Sequence, residues 1–214
     1  MKTVKVSFLG DSITEGVGAS SADTRYTAVF EKLSGYTVKN YGISGTRIAR
    51  NHNPSPNPRN DNPFIDRVEE IDKDTDIVVV FGGTNDFGHG DGGLGHFYSD
   101  DGHTFYGALH LLIRRLTEHL PSARIVFMTP LHRISERTAI NEYGYPTSPL
   151  SAYCDAIREV CEYYSVPVLD LFKISGIQPS LEIHRKKYMP DGLHPSDDGA
   201  RIIASLLLKF LNTL

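Results

Sequence analysis

The sequence predicts an α/β fold, a three-layer α/β/α sandwich around a central parallel sheet of about five strands. Three observations carry this. Short β-rich segments alternate with longer segments of helical spacing along the whole chain. One short segment, Ile77-Val78-Val79-Val80-Phe81, is apolar without alternation, as a strand covered on both faces must be. Small residues and potential donors gather in the loops after the first three short segments, as in Gly10-Asp11-Ser12, Gly42-Ile43-Ser44-Gly45 and Gly82-Gly83-Thr84-Asn85.

Taken in order, strands are predicted over 4–9, 37–41, 76–81, 124–128 and 166–171. Helical spacing falls at roughly 24–33, 62–71, 104–119 and 148–164, and a last helix runs over about 197–212, with Ser196, Asp197 and Asp198 as candidate caps. Three connections are long: 51–63 is rich in proline, 87–101 in Gly, His and aromatics, and 130–149 in polar residues with Tyr143 and Tyr145. Loops of that length in a compact domain usually form lids or binding walls.

With 214 residues and 40% apolar content the chain can bury one core, and a single domain over 1–214 is expected. Twenty-two basic against 26 acidic residues, a formal net charge of -4, provide no basic field for nucleic acid or an anionic membrane. No stretch reaches the roughly 18 to 20 apolar residues that a membrane span requires, so no membrane insertion is expected. The opening residues 1–9 are shorter and more polar than a signal-peptide core, and Cys154 and Cys161, seven apart on a predicted helix, cannot bridge. Reduced thiols and a cytoplasmic location are expected, with a metal pair or a reactive thiol as the other reading of the cysteines. A homo-oligomer stays open.

In such sheets ligands sit beyond the carboxyl ends of the strands. The first strand runs into Gly10-Asp11-Ser12-Ile13-Thr14, a serine in a strand-to-helix turn. Alone, a Gly-Asp-Ser tripeptide is more often a plain turn or cap. The second strand leads to Gly42-Ile43-Ser44-Gly45 and the third to Gly82-Gly83-Thr84-Asn85-Asp86. Near the end stands Asp191-Gly192-Leu193-His194-Pro195, where an Asp three residues before a His can accept from that ring's Nδ1 and leave Nε2 free.

These blocks, in this order over residues 10 to 195, resemble the SGNH, or GDSL, hydrolase family. The resemblance implies a flavodoxin-like fold and a cofactor-free serine hydrolase. It makes Ser12 the nucleophile, His194 the general base and acid, and Asp191 the group that orients the imidazole. It places the oxyanion between the N–H groups of Ser12 and Gly45 and the side-chain amide of Asn85. Gly45 would allow close approach of its amide, and Asn85 is a donor that stays neutral. The α/β-hydrolase elbow Gly-x-Ser-x-Gly does not fit, because Thr14 occupies its second glycine.

Asp11 and Asp86 are expected to hold their turns. Asp11 also joins Phe87, His89, Tyr143 and Tyr188 as a candidate substrate contact. His89, His96 and His103, spaced by seven, do not form a compact metal motif, and no metal is expected. The leading reading is an esterase acting on a small-molecule ester, with a short acyl group such as acetyl on a sugar or other hydrophilic alcohol. Long loops carrying Tyr, His, Phe and Asp, rather than a Leu-rich tunnel, motivate it. An acyltransferase with the same triad, a lysophospholipase or thioesterase activity, and a non-catalytic carbohydrate-binding protein are the alternatives.

Overall fold

The computed structural model describes residues 3–214; Met1 and Lys2, the start of the N-terminal stretch weighed above and of the 1–214 span, lie outside the described residues. Five strands, β1 (Lys5–Gly10), β2 (Thr37–Gly42), β3 (Ile77–Phe81), β4 (Arg124–Met128) and β5 (Val168–Leu169), form one sheet in the order β2-β1-β3-β4-β5. Every pairing is parallel. Among the described residues eight α-helices connect or flank them: α1 (Ser12–Glu15), α2 (Tyr26–Ser34), α3 (Thr84–His89), α4 (Phe105–His119), α5 (Leu150–Tyr163), α6 (Leu171–Ile174), α7 (Glu182–Tyr188) and α8 (Asp197–Leu211).

The uninterrupted apolar run of β3 has a direct structural cause. Val78 and Val80 point into one core, with Leu112 and Leu116 of α4 and Ile157 and Val160 of α5. Val79 and Phe81 point into the other, with Tyr26 and Phe30 of α2 and Ile203 and Leu207 of α8. Successive side chains of a strand alternate faces, so a strand covered on both sides must be apolar throughout. β1 behaves likewise: Val6 and Phe8 face α2 and α8, and Leu9 faces α4 and α5. The one polar side chain on its buried stretch, Ser7, is matched by Thr75 Oγ1 at 2.8 Å. With β1 and β3 fixed centrally, the loops leaving their carboxyl ends converge on one edge.

Two predicted elements differ. The segment 62–71 is not an α-helix but two short 3₁₀ turns, Phe64–Asp66 and Val68–Glu70. Its apolar residues do reach the core, but Arg67 between them turns inward, 1% exposed. It donates to the carbonyl oxygens of Tyr41 at 2.7 Å and Gly10 at 3.1 Å, and to Thr46 Oγ1 at 3.0 Å. Satisfying those buried strand-end carbonyls outweighs the local helical pattern. The fifth strand shrinks from 166–171 to two residues because Pro167 has no N–H for the ladder and Asp170 caps α6, accepting from Lys173 N. Both cysteines lie unbridged and buried on α5, where burial pushes their thiols well above the ordinary range. Among the described residues no helix is long and apolar enough to cross a membrane.

Candidate active site

Ser12 opens α1 one residue after β1. The Asp11 carboxylate accepts from Ile13 N at 2.9 Å, and Gly16 ends the helix in the left-handed region at φ 110°, so a single turn holds the serine. As the first helical residue, Ser12 has an amide with no partner within the helix, and among the described residues no other backbone group takes it up. Thr14 anchors the turn from below through Tyr26 Oη at 2.9 Å.

Gly45 follows β2 at φ 76°, and a Cβ there would overlap the Asn60 amide oxygen. Its own left-handed backbone and the Asn60 side chain packed against it both require a glycine here. Its amide also lacks a protein partner among the described residues. Asn85, in the first turn of α3, donates one amide hydrogen to Thr46 O at 2.9 Å, which aims the side chain and leaves the second hydrogen available. Asp86 ties the two loops together, accepting from Ile48 N at 3.0 Å and Ala49 N at 2.9 Å. Burial pushes its carboxyl up to about 6 against those two hydrogen bonds.

The third part comes from the turn before α8. Asp191 Oδ1 accepts from Leu193 N at 2.9 Å and His194 N at 2.7 Å, and Gly192 takes φ 81° to close the turn. Asp191 Oδ2 lies 2.6 Å from His194 Nδ1, and His194 Nε2 lies 2.9 Å from Ser12 Oγ. A carboxylate only accepts, so Nδ1 carries the ring proton and Nε2 accepts from the serine hydroxyl. Partial burial works to raise the Asp191 carboxyl, but the His194 amide, its ring and the Leu193 amide outweigh that and hold it below the usual carboxylate range.

Ser12, Gly45, Asn85 and His194 border a cleft of about 380 Å³ whose other walls include Asn57, Arg59, Asn60, His89, Glu142 and Tyr143. A larger cavity of about 580 Å³ lies between residues 133–137 and 178–185, and Ser12, Gly45, Asn85 and His194 are not among the residues that line it. Ser12, His194, Gly45 and Asn85 meet at the smaller cleft.

Residues 8–202 match the GDSL-like lipase/acylhydrolase family. The chain belongs to that family. It is a hydrolase of the acylhydrolase kind, with the five-stranded parallel sheet of the family's solved structures. A protein from Lactobacillus plantarum shares 31% identity and TM-score 0.83 over 100% of this chain and 98% of its own. A possible lipase from Chitinophaga pinensis shares 22% identity and TM-score 0.70, with 98% of each chain covered. A two-domain esterase active on acetylated mannans shares 19% identity and TM-score 0.67 over 99% of this chain and 49% of its own. No curated protein matches the chain.

The fold gathers Ser12, Gly45, Asn85, Asp191 and His194 at one sheet edge. His89 and Tyr143 also line the cleft. Three candidate contacts do not. Asp11 turns back to its own helix, 1% exposed, and burial, helped by Asp86, pushes its carboxyl up to about 7. Phe87 is buried in the core against Tyr153 at a ring distance of 6.0 Å. Tyr188 ends α7 beside His184 and the α8 core, away from the cleft. The histidines spaced by seven separate: His89 enters the cleft, while His103 meets Asp101 and stacks on His52. Sequence reasoning missed Asn57, Arg59, Asn60 and Glu142; only the lengths of their loops signalled them.

Proposed function

We propose that this acylhydrolase is a serine esterase that removes a short acyl group, acetyl foremost, from a hydrophilic alcohol such as a sugar. The observation that carries the reading is the continuous chain Asp191–His194–Ser12, with contacts of 2.6 and 2.9 Å, opening on a cleft walled by Asn, Arg, Glu, Tyr and His side chains.

Ser12 Oγ attacks the ester carbonyl while His194 Nε2 takes its proton, and Asp191 stabilises the imidazolium. The carbonyl oxygen becomes an anion facing the amides of Ser12 and Gly45 and the free hydrogen of Asn85 Nδ2. Collapse expels the alcohol, which takes the proton back from His194 and leaves an acyl-Ser12 ester. Water, deprotonated by the same imidazole, then releases the acid and restores the serine. No step calls for a cofactor or metal.

Short acyl groups are favoured because the cleft wall is built from Asn, Arg, Glu, Tyr and His, with Val17 and Leu193 as its small apolar share. That wall offers hydrogen bonds to an alcohol bearing hydroxyls and no row of aliphatic side chains along which a fatty chain could lie. The neighbour named for its activity on acetylated mannans has the same fold over half its length, which supports an acetyl group on a sugar. A nitrophenyl ester panel at fixed alcohol tests this: kcat/KM should fall at least about tenfold from acetate to octanoate. A preference for octanoate would overturn the short-acyl reading. Transfer to an alcohol in place of water would show as transesterified product in the same assays.

A further inference from the structure

His89 and Asn85 stand four residues apart in α3, so they share one helix face about 6 Å apart along the axis, and both line the cleft. His89 is only 7% exposed, and its Nδ1 lies 3.1 Å from Arg47 Nη1. A guanidinium has donors and no acceptor, so Nδ1 must present its lone pair and the ring proton must sit on Nε2. Arg47, 1% exposed, cannot swing away: its Nη2 donates to Asp61 Oδ1 at 3.1 Å and its Nη1 to Ser55 Oγ at 3.3 Å. Asp61 in turn accepts from Ser55 N at 2.8 Å and Ser55 Oγ at 2.6 Å.

The other side of the ring is equally fixed. Tyr143 stacks on His89 with centroids 5.1 Å apart, and its loop is pinned to α3 by Glu142 N donating to Gly88 O at 2.9 Å. Asn141 Nδ2 adds a bond to Gly90 O at 2.8 Å. Among the described residues Nε2 of His89 has no protein partner, and the sealed side-chain nitrogens without partners are four arginine Nε atoms. His89 Nε2 therefore opens onto the cleft. Burial first, then the Arg47 and Arg133 guanidiniums, hold the ring down to about 4, which keeps it neutral through the neutral range.

We propose that His89 is a specificity-determining residue whose Nε2–H donates to an uncharged oxygen of the alcohol moiety, with Arg47 as the positioning residue that fixes its tautomer. The inference rests on the esterase reading. An acetyl group extends one methyl beyond the reacting carbonyl and does not reach a donor a helical turn beyond Asn85; the alcohol does. A neutral donor beside the exposed Tyr143 ring suits a hydroxyl or ring oxygen of a sugar, where an anionic group would call for a cation.

The direct test is imidazole nitrogen NMR of Ser12→Ala, which would leave the ester uncleaved, with a mono-O-acetylated methyl mannoside as probe. The His89 ring should hold the Nε2–H tautomer from about pH 5 to 8, its Nε2 resonance should shift on addition of the probe, and Arg47→Met should release a mixture of tautomers. An Nδ1–H tautomer, a cationic ring, or an unmoved Nε2 resonance would overturn the proposal. Kinetics give a second arm. His89→Phe keeps a ring but loses the donor, so its kcat/KM on the mannoside should fall at least about tenfold further than on phenyl acetate, with partial rescue by His89→Gln. Equal falls on both esters would contradict it, and should His89→Phe not fold, the resonances of Ser12→Ala decide. If the wild type cleaves phenyl acetate but neither binds nor cleaves the mannoside, this inference fails while the esterase stands; if it cleaves neither, the esterase reading itself falls.

Discussion

Asn85 spends one amide hydrogen on Thr46 O and keeps the other for the cleft. On the proposed esterase mechanism the side chain is aimed before substrate arrives, so its second hydrogen would contribute mainly when charge appears on the oxygen. Asn85→Ala should therefore lower kcat by about 100- to 1000-fold with little change in KM, measured by steady-state kinetics on phenyl acetate. A raised KM with intact kcat would show that Asn85 binds ground state and transition state alike. Phe87, a candidate contact that the fold buries, sits on the same short helix as His89, which lines the cleft. Once α3 is known to be helical, His89 falls on the face of Asn85, while Phe87, two residues on, is turned toward the core. The segment carries Gly82, Gly83, Gly88 and Gly90, so it reads as loop, and that periodicity was hidden.

At the scale of elements, the loop between α1 and α2 clamps the histidine turn. Ser20 donates from its amide to Asp197 Oδ1 at 2.8 Å and from its hydroxyl to Asp197 Oδ2 at 2.7 Å. Gly18, at φ 91°, lies so close that an added Cβ would meet Pro195 O at 2.6 Å and His194 Cβ at 2.9 Å. Gly18→Ala should strain the left-handed backbone by about 1 to 2 kcal/mol and push His194 off Ser12, costing on the order of 10- to 100-fold in kcat/KM. Thermal melts and kinetics on the purified variant check both; wild-type turnover would contradict the clamp. Long helices were legible because their periodicity and caps agree. The span 104–119 is realised as Phe105–His119 with Thr104 as cap, and Ser196 caps α8 by accepting from Gly199 N. The short α3 and α7 were not legible, since fewer than three turns leave no period to read, and the helical spacing over 62–71 misled because tertiary bonds such as those of Arg67 decide its shape.

For the whole molecule, the doubly covered sheet explains why residues separated by 182 positions, Ser12 and His194, meet at 2.9 Å. The apolar β3 and the order of the four motif blocks carried that much in the sequence. The cleft wall was not readable, because it is made by loops held through side-chain pairs at irregular spacing, Arg47 with Asp61 and Arg133 with Glu142, whose partners no local pattern announces. The central claim is that this edge activates one serine. Its most direct measurement is covalent capture with a fluorophosphonate, read by intact mass and peptide mapping. One adduct per chain on Ser12, absent in Ser12→Ala and slowed in His194→Ala, is the predicted result. An adduct on another residue, or ester turnover undiminished in a folded Ser12→Ala protein, would contradict it.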